Sequence, residues 1–192
     1  MDLCESTLSA TMFLALTFLL GGLVQTIWLH SRTARAWAIP IDAGICLRGR
    51  RLFGDNKTWR GFVVMIPASG CSCLLMSLVW DVVDAAPWPL SSGEYFLIGC
   101  LGGLGFMAGE LPNSLIKRQL DIPAGAAAAN RFSKLFFFLV DQVDSTIGGL
   151  AAVSLVISLP VTVCLLLILI GGILHLAVNV VLWRLRLRNR FA

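Results

Sequence analysis

The chain has 192 residues, of which 57% are hydrophobic and only 14% are charged. Its mean hydropathy is +0.84, a composition that excludes a soluble globular domain. The net charge of +4 comes from 15 basic and 11 acidic residues. Since basic faces of membrane proteins commonly meet anionic lipid head groups, we expect membrane lipids and no nucleic acid among the partners.

Five stretches are long and apolar enough to cross a bilayer, which needs about 20 helical residues. They predict an all-α, polytopic integral membrane protein with one transmembrane domain over residues 1–192. The break between the last two stretches is placed at Pro160, because proline lacks a backbone N–H and disfavours helix in the residue before it. The predicted spans are residues 8–29, 61–83, 95–111, 136–159 and 160–183.

The basic residues lie only in alternate connections between the predicted spans and in the C-terminal tail. All fifteen Lys and Arg side chains lie within residues 30–60, 117–134 and 184–190. Short loops rich in Lys and Arg stay in the cytoplasm. We therefore expect the N-terminus outside, the C-terminus inside, cytoplasmic loops at about residues 30–60 and 113–134, and a location in the cytoplasmic (inner) cell membrane. The acidic flank of the first span predicts a retained helix, not a signal peptide.

The first basic loop mixes cations with glycines and two acids between residues 40 and 61. Its cations suit a polyphosphate, because guanidinium forks grip phosphate oxygens and Lys supplies a mobile charge. The alternative is a loop that only marks topology and rests on lipid head groups. Such a loop has no need of interleaved glycines, nor of Asp42 and Asp55. The candidate phosphate ligands are Arg48, Arg50, Arg51, Lys57 and Arg60.

A second polar stretch begins in the third apolar span and ends in the second basic loop. Glu110 is an acid near the membrane face. If the chain is helical through Arg118, the spacing of three and four residues places Ser114, Lys117 and Arg118 on one face. A hydroxyl group and two cations would then converge on one anion.

The third polar stretch carries two acids, Asp141 and Asp144, three residues apart in an apolar span. They project from the same side of a helix. An ionised side chain at the bilayer centre costs about 2.5–3.5 kcal/mol on insertion scales. A Mg²⁺ ion held by oxygen ligands would offset the two charges. A proton-sharing acid pair, or salt bridges to Arg131 or Lys134, are the alternatives that the residues alone leave open.

The two histidines and the six cysteines show no spacing that indicates a functional site. His30 and His175 are single and unclustered, which is typical of interfacial or packing residues. The cysteines lie mostly within apolar runs, and no pair has the spacing of a zinc site. We therefore interpret these eight side chains as structural.

Together the three polar stretches resemble the CTP-dependent cytidylyltransferases of phospholipid synthesis. The resemblance is to the CDP-archaeol synthase branch and its bacterial relatives, which are similar to the CDP-diacylglycerol synthases, and it spans roughly residues 40–145. The motifs that carry it are Pro40-Ile41-Asp42, Arg48-Gly49-Arg50-Arg51, Gly54-Asp55-Asn56-Lys57-Thr58-Trp59-Arg60-Gly61, Ser114-Leu115-Ile116-Lys117-Arg118, Ile122-Pro123 and Asp141-Gln142-Val143-Asp144.

The resemblance implies that CTP and a lipid phosphate react to a CDP-lipid and pyrophosphate, with Mg²⁺ as cofactor. Nothing in the sequence distinguishes an ether-linked archaetidate from an ester-linked phosphatidate, and a homodimer is left open. Two alternatives from other classes are a small transporter that binds a coupling cation and a non-catalytic lipid-binding membrane protein. The one-sided basic residues and the lack of an inverted repeat argue against the transporter.

The same resemblance, combined with the charges, implies a role for each polar stretch. Asp141 and Asp144 would hold one or two Mg²⁺ ions, with Glu110 or Asp121 completing the site. Lys117 joins the two aspartates as a catalytic residue, and the cations of the first loop would bind the lipid phosphate or cover CTP. The residues expected to hold the triphosphate are Ser114, Lys117 and Arg118.

Overall fold

The computed structural model describes residues 3–184 and is almost entirely helical. Five of its helices are long and apolar enough to cross a membrane, which confirms the predicted five-span architecture. The basic tail beyond Arg184 lies outside the described residues. In chain order the elements are α1 Leu3–Leu29, α2 Arg32–Ala36, β1 Cys46–Leu47, β2 Arg50–Arg51, α3 Trp59–Asp81, α4 Ser92–Gln119, α5 Arg131–Val153 and α6 Val161–Arg184.

The predicted end of the third span at residue 111 is wrong. Helix α4 continues through Pro112 to Gln119. Membrane helices tolerate an internal proline, since neighbouring groups and small local adjustments satisfy the freed backbone carbonyl. Helix α5 begins early, at Arg131, where the Asn130 side chain accepts a hydrogen bond of 2.9 Å from the Phe132 backbone N–H. Helix therefore covers both ends of the segment 113–134, and the connection between α4 and α5 is residues 120–130.

The predicted hairpin at residues 158–160 is also wrong in its bounds. Helix α5 ends at Val153, and residues 154–160 form the connection to α6. The Leu155 and Val156 backbone N–H groups donate to carbonyls three residues back, at 3.2 and 3.0 Å, which tightens the last turn. Pro160 then precedes the first residue of α6, a position that leaves no helical carbonyl without its donor.

Glycines set the register between α4 and its two neighbours. A Cβ atom at Gly103 would lie 2.7 Å from the Met65 carbonyl oxygen of α3, and one at Gly109 would overlap the Asp144 carbonyl oxygen of α5. Small residues at such contacts allow membrane helices to approach backbone to backbone. Gly102 lies beside Val153 at the other end of the same interface, so α4 and α5 are antiparallel. This register places the end of α4 beside the acids of α5.

The opposite end of the helix bundle is packed with aromatic side chains. Phe13 is fully buried, with its ring centroid 5.7, 5.9 and 5.3 Å from those of Trp80, Trp88 and Tyr95. The Tyr95 hydroxyl donates a hydrogen bond of 2.6 Å to the Trp88 carbonyl oxygen. Edge-on aromatic contacts of this kind add to the stability that burial provides. This aromatic cluster joins α1, α3 and α4 at the end of the bundle away from the acids of α5.

Candidate active site

The two acids of α5 meet the polar end of α4 through one amide. The Asn113 Nδ2 donates to Asp141 Oδ1 at 2.6 Å and to Asp144 Oδ2 at 2.8 Å. Both carboxylates therefore project from the same side of α5, as their spacing predicts. The Asn113 Oδ1 is buried and has no hydrogen-bond partner, which costs about 1–3 kcal/mol if nothing else binds it.

The cation that offsets Asp141 comes from α4. Lys117 Nζ lies 2.5 and 2.6 Å from the two Asp141 oxygens and 5.4 Å from the centroid of the Phe137 ring. One alternative that the sequence left open was a salt bridge to Arg131 or Lys134. Both side chains line the same cavity, but the ion pair that Asp141 makes among the described residues is with Lys117.

Glu110 joins this group through a serine that sequence reasoning did not single out. The Ser145 hydroxyl donates to Glu110 Oε1 at 2.8 Å and lies 3.3 Å from Asp144 Oδ1. Glu110 also forms an ion pair with Lys57 of the first basic loop. Three acids are thus linked in a row, with a serine between Glu110 and Asp144 and an asparagine between the two aspartates.

Apart from Ser145, these side chains line one cavity of about 1380 Å³, which we call the polar cavity. The structure brings Ser114, Lys117 and Arg118 together, because α4 is helical to Gln119 and all three residues line the cavity. Arg118 also holds the site together. Its Nε donates to the Phe53 carbonyl oxygen at 3.2 Å, and its guanidinium contacts the Ile122 carbonyl oxygen.

The first basic loop folds around its own carboxylate, Asp42, which is buried. Asp42 accepts hydrogen bonds from the Arg51 guanidinium at 2.5 and 3.2 Å and from the Phe53, Gly54 and Gly44 backbone N–H groups at 3.0, 3.0 and 3.2 Å. The Arg51 guanidinium holds the pKa of Asp42 well below its usual range, the backbone donors act in the same direction, and burial opposes them. The loop therefore needs no ligand to fix its conformation.

Two predicted ligands at the edge of the loop bind each other. Arg50 donates to the Asp121 carboxylate and to the Gln119 carbonyl oxygen. The Asp121 side chain is 67% exposed and does not line the polar cavity. The structure does not bring Asp121 to the other three acids, so its expected part in the metal site is not met. Its geometric role is to pair with Arg50 where the chain turns after α4.

Three more predicted phosphate ligands also lie outside the polar cavity. Arg51 is held by Asp42 and, at 3.1 Å, by Asp55. Arg60 donates to the Ala34 carbonyl oxygen at 2.8 Å. Arg48 has a φ of +54° and occupies the tight turn between β1 and β2, where its side chain is exposed. Of the five cations predicted from this loop, the cavity receives Lys57.

The carboxylate oxygens are suitable ligands for Mg²⁺, although in this structure they accept hydrogen bonds from protein side chains. Within residues 3–184, no three of the acidic, His and Cys side chains are grouped closely enough to hold an ion as they stand. Carboxylate and amide oxygens are the ligands that Mg²⁺ prefers. Rotation of the Asn113 amide by half a turn would exchange Nδ2 and Oδ1, which is possible because the two groups have nearly the same shape. The unpaired Oδ1 would then point at Asp141 and Asp144. These three oxygens facing one another would require a cation.

Four polar residues of the site escaped sequence reasoning. Asn113 lies one helical turn before Lys117, so the spacing that paired Ser114 with Lys117 could also have found it. Ser145 directly follows Asp144, and His175 and Asn179 are polar interruptions in the most apolar span, α6. Their signal was a polar side chain in a membrane helix, which by itself marks a candidate functional position.

Comparisons with known proteins agree with this architecture. The profile of the CarS-like CDP-archaeol synthase family matches residues 8–191. The CDP-archaeol synthase of Pyrococcus furiosus is 30% identical over 78% of this chain and 81% of its own, and that of Methanothermobacter thermautotrophicus is 34% identical over 78% of each.

The fold is also similar to a solved structure. An intramembrane enzyme for archaeal membrane lipids biosynthesis superposes with a TM-score of 0.61 at 26% identity, over 86% of this chain and 92% of its own. The five apolar helices and this likeness agree that the protein is integral to a membrane. The chain therefore belongs to the CDP-archaeol synthase family, whose members are membrane cytidylyltransferases that form a CDP-lipid.

Proposed function

We propose that this chain transfers the cytidylyl group of CTP to a lipid phosphate with the help of Mg²⁺, in the cavity between α4, α5 and the first basic loop. The observation that carries the proposal is the row of three carboxylates and Lys117 that face one polar cavity at an end of the membrane helices. Membrane helices hold such charges where a substrate or ion needs them, because each is costly in lipid.

Asp141 and Asp144 are the residues that would hold the metal, with Asn113 bonded to both and Glu110 linked to Asp144 through Ser145. Mg²⁺, when bound, would supply positive charge beside the phosphates of the nucleotide. The protein prepares the carboxylates for this. Asn113 and Ser145 fix the orientation of Asp144, and Lys117 pairs with Asp141.

The cations on α4 would bind the triphosphate. Lys117 reaches a phosphate oxygen by rotation about its flexible side chain, and Ser114 offers a hydroxyl on the same face. Arg118 and Lys57 add positive charge at the cavity wall. Phosphoryl-type transfers depend on such positioning and charge stabilisation, not on a covalent protein intermediate.

In the reaction itself, an oxygen of the lipid phosphate forms a bond to the α-phosphorus of CTP. The bond from that phosphorus to the oxygen of the β-phosphate breaks, and pyrophosphate leaves with the electron pair. Lys117 and Arg118 are placed to stabilise the charge that develops on the leaving group. We place the cavity at the cytoplasmic face, because the described basic residues gather at that end of the helices and basic loops stay in the cytoplasm.

The test is label transfer by the purified protein in lipid nanodiscs. The protein receives Mg²⁺, CTP labelled at the α-phosphate, and either an ether-linked archaetidate or an ester-linked phosphatidate. Label should pass to at least one lipid, with one pyrophosphate released per CDP-lipid. A chelator should stop the reaction and added Mg²⁺ should restore it. Label that stays in water-soluble nucleotide with both lipids would refute the proposal and favour a transporter or a lipid-binding protein.

A further inference from the structure

Helix α6 carries two polar residues in an otherwise apolar sequence. Its mean hydropathy of 2.7 is the highest of the five spans, yet it contains His175 and Asn179. The two residues are four apart and so share one face of the helix. Asn179 is buried and His175 is half-buried. Sequence reasoning treated His175 as a packing residue, and the reaction proposed above uses neither side chain.

A second cavity, of about 380 Å³, lies between α1 and α6. We call it the apolar groove. Its walls are mostly hydrocarbon, with Leu23 and Leu29 on one side and Leu174 and Leu182 on the other. Gly22 also lines it, and a Cβ atom at Gly22 would meet no other atom within 4 Å. The groove therefore has room for a hydrocarbon chain at that point.

The groove and the polar cavity meet at three residues. Glu110, His175 and Asn179 line both of them. Glu110 already receives Lys57 and Ser145, and it lies close enough to His175 for the two to interact electrostatically. The boundary between an apolar and a charged space is thus formed by an acid, an imidazole and an amide.

We propose that the lipid substrate lies across this boundary, with its chains in the apolar groove and its phosphate in the polar cavity, and that His175 and Asn179 contact its phosphate and glycerol oxygens. This inference rests on the proposed function. A lipid phosphate is the substrate whose two halves match the two spaces. An imidazole and an amide can donate hydrogen bonds to its oxygens, whereas Glu110 would repel the phosphate unless Lys57 stays beside it.

The first test is the effect of His175→Ala on the two Michaelis constants of CDP-lipid formation. The KM for the lipid phosphate should rise about fivefold to tenfold, the size expected for one lost hydrogen bond, while the KM for CTP stays the same. His175→Gln, which keeps a donor, should recover most of the loss. Ile173→Ala is the matched control, because Ile173 lies on the same helix, is 59% exposed and lines neither cavity.

A structural role for His175 would give a different pattern. His175→Ala would then alter both Michaelis constants together, or neither, and His175→Gln would not restore the lipid constant. Either result would overturn the assignment. If the wild-type protein forms no CDP-lipid at all, the proposed function fails instead, so the two failures are distinct.

The second test fills the groove. Gly22→Leu adds a side chain where the structure has space, and leucine favours the helix more than glycine does. The KM for a long-chain lipid phosphate should rise at least threefold, roughly the effect of one buried methylene group, and that for a short-chain analogue much less. If Gly22→Leu leaves the KM for each of the two lipids at its wild-type value, the groove holds a bystander lipid or another helix, not the substrate chains.

Discussion

Two regions of this protein are rich in cations, and they use them differently. In the first basic loop, Arg50, Arg51 and Arg60 donate to carboxylates or carbonyls of the protein. At the end of α4, Lys117 and Arg118 line a large polar cavity. The three loop guanidinium groups bind protein acceptors outside the cavity, whereas Lys117 and Arg118, which also contact protein acceptors, face a space that a ligand can enter. On this contrast we expect α4 to bind the nucleotide and the loop cations to be mainly structural.

The largest effect is expected from Asp144→Asn. Loss of this carboxylate removes a proposed metal ligand and a partner of Asn113, so kcat for CDP-lipid formation should fall about 10²–10³-fold, as for other groups that stabilise transition-state charge. Asp84→Asn is the matched control, since Asp84 is an exposed acid at the opposite end of the bundle. An equal loss in both variants would mean that the effect is not local to the cavity.

A smaller effect is expected from Ser145→Ala. The Ser145 hydroxyl joins Glu110 to Asp144 and does not line the polar cavity, and outer partners of metal ligands typically contribute about 10- to 100-fold. We expect about a tenfold rise in the Mg²⁺ concentration that gives half-maximal activity. Ser154→Ala, at an exposed position after α5, should leave that concentration unchanged. No shift in Ser145→Ala would remove this serine from the site.

The loop should respond to pH through Asp42. Its pKa is lower in the folded protein than the usual value of about 3.9, so its stabilising effect is present above that value and is lost as the pH falls toward the folded pKa. Limited proteolysis of the loop should therefore be slow down to about pH 4 and accelerate below it. Asp42→Asn should be cleaved faster already at neutral pH. A cleavage rate that is the same in both proteins at pH 7 would contradict the central place of Asp42.

The smallest effects are expected at the edge of the loop. Arg50 and Asp121 form a largely exposed ion pair, and such pairs contribute about 0–1 kcal/mol. Arg50→Gln and Asp121→Asn should each change kcat and the Mg²⁺ requirement by less than about threefold. A large rise in the Mg²⁺ requirement of Asp121→Asn alone would restore this residue as a metal ligand.

Most of the fold, and the α4 and α5 parts of the site, could be predicted from the sequence. Span length and hydropathy identify five helices, and helical spacing places Asp141 beside Asp144 and Ser114 beside Lys117. The division of labour among the loop cations could not be predicted, because it depends on which carboxylate each guanidinium reaches in three dimensions. Arg51 lies nine residues from Asp42, whereas Arg50 binds a residue 71 positions away. Charge and composition do not distinguish these two cases.

The contributions of α6 were missed for a related reason. His175 and Asn179 are far in sequence from every motif of the reaction, and only the packing of α6 against the rest of the bundle brings them to Glu110. The predicted third span also stops at residue 111, where the apolar run ends, whereas α4 continues to Gln119.

Equilibrium binding of CTP, measured in the presence of Mg²⁺ on the purified protein, tests the contrast between the two basic regions most directly. Lys117→Gln should weaken CTP binding about tenfold or more, the effect of losing one hydrogen bond from a charged donor. Arg60→Gln should change it by less than about twofold, because the Arg60 guanidinium is bound to the Ala34 carbonyl oxygen and lies outside the cavity. Equal weakening in the two variants, or a larger one in Arg60→Gln, would contradict the assignment of the nucleotide to α4.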